Sequence, residues 1–272
     1  MKLLKILGLY DLMKYKALVY FLVHREVKVR YKNSVLGFFW TLIEPLGYMI
    51  VYSIVFKKIL NVSRGLDHYE LFLLSGLIPW MFFSRSITRG IRSIRSNAKL
   101  IKKIYFPRHI FPLVIVLSEF VSFIPAFVLV ILYGIILGVP FDWLHVLILP
   151  VVMILYIVIA YGFALILSIL NVYFRDIELM STILLRAGQY LVPIIYPISR
   201  FMKNPDLAHY LPYYLINPLA VIINSFHTVF AIYKSEAISY WYYLYVFIFA
   251  VVLLFVGMAI FRKLDRKVGE VV

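Results

Sequence analysis

Trp40, Glu44, Tyr48 and Tyr52 follow one another at intervals of four residues inside a long apolar run. On a helix that spacing places them in one slowly drifting stripe. Arg186, Tyr190, Pro193 and Pro197 repeat the pattern in a later apolar run, with Gln189 beside them. An aromatic ring offers an apolar plate with a polar edge, which holds many partners weakly and none tightly. The same rings also suit anchoring at a membrane interface.

Arginine supplies a second chemistry. Arg30, Arg85 and Arg89 border the apolar runs, and clustered guanidinium groups pair well with phosphate oxygens. Anchoring to anionic lipid is the alternative for each. Two charges fall deep inside apolar runs: Glu119 and Arg186. Charges at such depth are costly and either pair or face water. At ~1.5 Å per helical residue the two reach similar depths, so either they pair or Arg186 stands free toward a polar path.

Other chemistries are missing from the sequence. It contains no G-x-x-x-x-G-K-[ST] or G-x-G-x-x-G and no paired metal-ligand spacing. With no cysteine, disulfides, thiolate zinc sites and a cysteine nucleophile are excluded. The six histidines, His24, His68, His109, His145, His209 and His227, are scattered. No cofactor is expected on this chain, and any energy source must be an ion gradient or a partner subunit.

The elements that position these groups follow from composition. The chain is 64% hydrophobic and 15% charged, with a mean hydropathy of +0.93. A soluble domain carries about a quarter charged residues, so this is an all-α integral membrane protein. Six spans are expected near 38–60, 69–91, 109–138, 144–170, 178–198 and 240–261, each long enough for a ~30 Å hydrocarbon layer. Ahead of them, residues 10–32 read as an amphipathic helix with Leu12, Val19, Val23 and Val27 on one face and Lys14, Arg25, Lys28 and Lys32 roughly opposite. Such a helix lies in the headgroup layer or packs on a partner. The segment 217–231 is apolar but too short to span, which suggests a re-entrant or interfacial helix before the last span.

The net charge is +15, and its distribution assigns it to membrane orientation and lipid contact, not to nucleic acid. Residues 1–38 hold eight Lys and Arg, 85–109 eight, the turn 171–178 one and the tail 262–272 four; the opposite side holds Lys57, Lys58, Arg64, Arg200, Lys203 and Lys234. The positive-inside rule then puts both termini in the cytosol. The turn with Arg175 and Asp176 is cytosolic, Asp176 being placed to cap a helix from Ile177. Between spans two and three, Ser96 or Asn97 can cap a short helix carrying Lys99, Leu100, Lys102 and Lys103 to about Ile104. A short basic helix of this kind either docks a soluble partner or meets lipid phosphates.

Six blocks then occur in order: "VRYKNSVLGFFWTLIEPL" (29–46), "LLSGLIPWMFF" (73–83), "KLIKKIYFPRHIFPL" (99–113), "NVYFRDIE" (171–178), "VPIIYPI" (192–198) and "YYLINPLAVI" (213–222). Together they resemble the permease subunit of ABC-2 type polysaccharide exporters, the Wzm and TagG group. The resemblance implies a non-enzymatic homodimer of six-span subunits bound to two separate ATPase subunits, which alone handle ATP and Mg. It implies a bacterial inner or plasma membrane location and a cargo of lipid-linked O-antigen, teichoic acid or capsule-type polymer. Residues 1–37 become a cytosolic N-terminus with an interface helix, and 38–272 the transmembrane domain. The helix near 96–105, with Tyr105, becomes the coupling helix, and spans one and five line the channel. The two stripes are then a wall for a sliding sugar chain, and Arg30, Arg85 and Arg89 a mouth for the carrier's pyrophosphate. Rival readings are a gradient-driven flippase of lipid-linked sugars, with Glu119 as its one deep carboxylate, and an intramembrane glycosyl- or acyltransferase.

Overall fold

The computed structural model describes residues 13–32, 34–60, 66–103 and 106–266. Among them the regular structure is helical, joined by turns and short irregular segments, with an isolated bridge between Phe141 and Phe230. Helix α1 (Lys16–Arg30) precedes α2 (Trp40–Tyr52), which is entered through a 3-10 turn at Gly37–Phe39 and continues as a π-helix over Ser53–Ile59. Then come α3 (Tyr69–Ser96), α4 (Ala98–Lys103), α5 (Ile110–Ile136), α6 (Trp143–Tyr173) and α7 (Asp176–Gly188). Short helices α8 (Ser199–Lys203), α9 (Pro205–Ala208), α10 (Leu211–Leu215) and α11 (Pro218–His227) lead to α12 (Trp241–Asp265).

Five stretches among the described residues are long and apolar enough to cross a membrane: Gly37–Ile59, α3, α5, α6 and α12. The expected span at 178–198 is different. Its helix, α7, stops at Gly188, and residues 189–198 run through turns. Pro193 and Pro197 offer no N–H and push Val192 and Tyr196 away from helical backbone, so the helix cannot continue through them.

α3 is the hub. It packs against α2, α5, α6, α7 and α11, and almost every residue from Tyr69 to Phe83 is buried. Lipid tails are as apolar as leucine, so helices in a bilayer are held by close packing and buried hydrogen bonds. Both are present. The Tyr156 hydroxyl donates to the Pro79 carbonyl at 2.9 Å, and Asn171 Nδ2 donates to the Ile91 carbonyl at 3.2 Å. Where α12 crosses α6, a Cβ added to Gly257 would stand 3.0 Å from the Gly162 carbonyl. Only glycine lets the two backbones approach this closely.

α1 lies across the end of the bundle that carries α4. Leu22 is buried against Phe106, Ile110, Phe111 and Val114, with Leu18, Val19 and Val23 alongside. Of the expected helix, residues 10–12 lie outside the described residues. The division into one apolar and one basic face is also incomplete, because Tyr20, Phe21 and Val29 remain exposed. An apolar surface on both sides fits a helix held between the bundle and lipid better than one with a solvated back.

α11 spans ten residues, ~15 Å at the helical rise, against ~30 Å of hydrocarbon. Its ends are satisfied by protein. Asn217 caps the start by accepting from Leu219 N at 3.1 Å, with Pro218 at the first position. His227 Nε2 donates to the Pro193 carbonyl at 2.6 Å, and Asn224 Nδ2 donates to the Glu236 carbonyl at 2.7 Å. Glu236 in turn accepts from Ser199 N at 2.8 Å.

Candidate functional site

The polar side chains converge near the basic end of the bundle, where the C-terminus of α1 meets the start of α2, the later half of α3 and the first turns of α5. Arg30 forks onto Glu119, Nη2 donating to Oε1 at 2.6 Å and Nη1 to Oε2 at 3.0 Å. It also donates to Ser122 Oγ at 2.9 Å and Ser118 Oγ at 3.3 Å. Arg89 joins the same Glu119 oxygen from α3 and donates to Glu26 at 3.0 Å. The Glu119 side chain is 1% exposed; two guanidinium groups offset its burial, as a buried charge requires. Arg85 pairs with Glu44 of α2. Tyr31 sits 5.8 Å from the Arg30 guanidinium, its hydroxyl 3.4 Å from Ser122 Oγ. Burial raises the Tyr31 phenol above its ordinary range, so it stays neutral at physiological pH.

Of the two alternatives for Glu119 and Arg186, this network removes their pairing. Equal depth fixes position along the helix axis but not direction around it. Glu119 faces α1 and α3, whereas Arg186 is exposed on α7 and forms no ion pair with a described residue. The sequence reading also missed Glu26, Ser118 and Ser122. A signal was present: Ser118, Glu119 and Ser122 make a polar edge on a face of an otherwise apolar run, and such an edge calls for a polar partner.

Two sizeable cavities adjoin the network, beside a small pocket of ≈ 20 Å³ against Glu119 and Ser122. The larger, ≈ 390 Å³, is a basic vestibule lined by Arg30, Arg85, Arg89, Trp40, Glu44 and Glu119 among others. The smaller, ≈ 160 Å³, is a groove lined by Tyr48, Tyr52, Trp80, Gln189, and again Glu44 and Arg85. Gln189 Nε2 donates to the Tyr52 hydroxyl at 2.8 Å, tying α7's end to α2. The structure thus brings together the whole first stripe, Gln189 and the three arginines. It does not bring in the rest of the second stripe. Tyr190 is 54% exposed and lines neither cavity. Pro193 is buried, its carbonyl taken by His227. The helix that would have aligned them ends at Gly188, so four-residue spacing no longer means one face.

α4 projects from the same end. Its Leu100 and Ile101 pack on the Leu22 cluster, while Lys99 and Lys102 are exposed. Ser96 and Asn97 turn back to the Ser93 carbonyl, at 3.3 and 2.8 Å, and Asn97 Oδ1 accepts from Arg25 of α1 at 3.0 Å. The Asn97 side chain therefore braces α4 on α1 in place of the expected cap. Lys103 closes the helix, and Tyr105 lies outside the described residues. Arg175 and Asp176 are exposed, and Asp176 sits in the first turn of α7, with Arg175 at the cap position. Glu178, one turn in, is held by Arg92 of α3.

Long apolar helices packed on a central one, with a charged vestibule and a short basic helix at one end, define a multi-span membrane protein built around a polar recess. The family model for ABC-2 type transporters matches residues 17–231, and the chain belongs to that family. The match takes in nearly all of α1 and the long helices up to α6, and ends before α12. The chain is 32% identical over 252 residues to an O-antigen export system permease protein RfbA from Klebsiella pneumoniae, covering 92% of this chain and 93% of the relative. It is 30% identical to the protein of that name from Myxococcus xanthus (81% and 82% covered). It is 28% identical to the polysialic acid transport protein KpsM of Escherichia coli (89% and 91% covered).

Proposed function

We propose that this chain is the channel-forming permease subunit of an ATP-driven exporter that moves lipid-linked polysaccharide out of the cytosol. Two copies form the working unit, with two separate ATP-binding subunits carrying the nucleotide and Mg. The observation that carries the reading is the open groove of Tyr48, Tyr52, Trp80 and Gln189 beside a vestibule of three arginines. Aromatic plates suit a sliding sugar chain, and guanidinium groups suit the phosphates of its carrier. The relatives' names, O-antigen export and polysialic acid transport, supply the cargo class; teichoic acid stays within it by chemistry alone.

In this reading the chain crosses the bacterial inner membrane six times, α7 and the turns up to residue 198 making the fifth crossing, and both termini are cytosolic. The α8–α11 region forms a re-entrant element on the far side. α1 is the interface helix, and α4 docks the ATPase through Lys99 and Lys102. A gradient-driven flippase is less well served, because the carboxylate singled out for it, Glu119, is occupied by Arg30 and Arg89. An intramembrane transferase gains no support from the groove, whose lining is mostly aromatic and aliphatic.

The test is co-expression with a candidate ATP-binding subunit of an ABC transporter from the same genome. The wild-type chain is expected to co-purify with it as a complex that hydrolyses ATP. Lys99→Glu with Lys102→Glu is expected to lower recovery of the complex at least several-fold while the permease still inserts. Export that proceeds without any ATPase would overturn the reading.

A further inference from the structure

Glu44 and Arg85 are the only charged residues that line both cavities, as read from the described residues. Their ion pair therefore stands between the basic vestibule and the aromatic groove. We propose that this pair is a ligand-displaceable partition: a phosphate or diphosphate group entering the vestibule takes Arg85 from Glu44 and joins the two cavities. The proposal rests on the export reading and specifies how its substrate is admitted.

The three arginines of the vestibule are not equivalent. Arg30 and Arg89 hold Glu119, whose side chain is 1% exposed, and Ser118 and Ser122 accept from Arg30. Taking either arginine away leaves a buried carboxylate less well compensated, which is strongly unfavourable. Arg85 and Glu44 are 30% and 41% exposed, and pairs that wet contribute little. Arg85 meets Glu44 through one nitrogen, Nη2, so its remaining donors are open to a ligand. A guanidinium binds phosphate through two parallel donors, and a diphosphate offers more charge and more acceptors than Glu44 does.

The charge balance points the same way. Arg25, Arg30, Arg85 and Arg89 meet Glu26, Glu44 and Glu119, so each of the four guanidinium groups already has a carboxylate partner. A phosphate arriving at the closed vestibule finds no unpaired arginine, so it has to compete with an internal carboxylate. Glu44 is the one exposed enough to yield. Once released, it leaves Arg85 on the phosphate and opens the way toward Tyr48 and Tyr52, four and eight residues further along α2. A sugar attached to the phosphate then has an aromatic wall to enter. A neutral sugar with no phosphate has no means of displacing Glu44, so the partition selects for the carrier-linked form.

The test uses the purified chain in phosphatidylcholine nanodiscs with inorganic pyrophosphate as probe. Glu44→Gln removes the competitor and adds one unit of positive charge to the vestibule. It is expected to bind pyrophosphate about tenfold more tightly than wild type by calorimetry, with Arg85→Gln at least tenfold weaker. A Glu44→Gln protein that melts normally and binds no better overturns the proposal. A second measurement keeps Glu44 and Arg85 intact. Ser84, which lines the groove, becomes the only cysteine in the chain as Ser84→Cys, and a water-soluble maleimide reports its access. Pyrophosphate or farnesyl diphosphate is expected to raise the labelling rate several-fold, whereas replacing phosphatidylcholine by phosphatidylglycerol leaves it unchanged. No response to either diphosphate overturns the partition, and a rise with phosphatidylglycerol alone overturns carrier diphosphate as its key. Both measurements need no ATPase, so their failure is separable from a failure of the export reading.

Discussion

Gly37–Ile59 and α3 are neighbours in sequence, and both are apolar enough to cross a membrane. Yet 83% of the most apolar stretch of α3 is buried inside the chain, against 11% of that of Gly37–Ile59. α3 finds its surroundings among α5, α6, α7 and α11. α2 turns one edge to α3 and α5 and leaves Trp40, Ile43, Tyr48, Ile50 and Val51 open, as the π-helix after it leaves Ile54. The difference extends to their carboxylate partners. Arg89, on α3's α5-facing side, is locked onto buried Glu119, while Glu44 on α2 is 41% exposed. A helix completed by its own chain serves as scaffold. One left incomplete is where lipid, cargo or a second copy must supply the rest, and here it is the helix that carries the candidate wall.

The strongest way to break that comparison is to attack the lock. Glu119→Leu leaves Arg30 and Arg89 without their shared counter-charge. Removing one partner of a buried pair costs about 3–5 kcal/mol. The variant is expected to lose most of its thermal stability in detergent, with a large fall in Tm. Glu44→Leu, at the wet pair of α2, is expected to shift Tm far less. Equal losses would mean that the two carboxylates are held alike.

Glycines give a finer contrast. A Cβ at Gly76 of α3 would stand 2.8 Å from His227 Cε1 and 3.2 Å from Ile194 Cα, while one at Gly47 of α2 meets nothing within 4 Å. Overpacking a tight site costs about 1–3 kcal/mol, so Gly76→Ala is expected to lower stability on thermal or denaturant unfolding. At Gly47 the change to alanine relieves a helix of glycine's entropy, worth about 0.5–1 kcal/mol, and stability is expected to hold or rise. A destabilising Gly47→Ala would show that something outside the isolated chain already packs there.

The smallest expected effect on stability, within about 0.5 kcal/mol for an exposed site, is also the most direct probe of what covers α2. Ile50→Cys and Leu74→Cys, each made in this cysteine-free chain, differ in exposure from 55% to 1%. Under mild oxidation in membranes the first is expected to form disulfide-linked dimers and the second none. If neither cross-links, lipid and not a second copy faces this part of α2.

The sequence alone determined the membrane class and nearly all the long helices, because a continuous apolar run of that length has no other stable home. It singled out the arginines, the first stripe and the basic helix after α3, since charged and aromatic residues stand out against so apolar a chain. Tertiary structure decided who meets whom. Glu119 went to Arg30 and Arg89 and not to Arg186, because depth is legible from helical rise but azimuth depends on how each helix is rotated in the bundle. The second stripe lost Tyr190 and Pro193, because a periodicity rule holds only while the helix lasts, and α7 ended at Gly188 before two prolines. Arg85 and Glu44, 41 residues apart, were each visible as a charge. Only the packing of α2 against α3 made them one pair standing between two cavities.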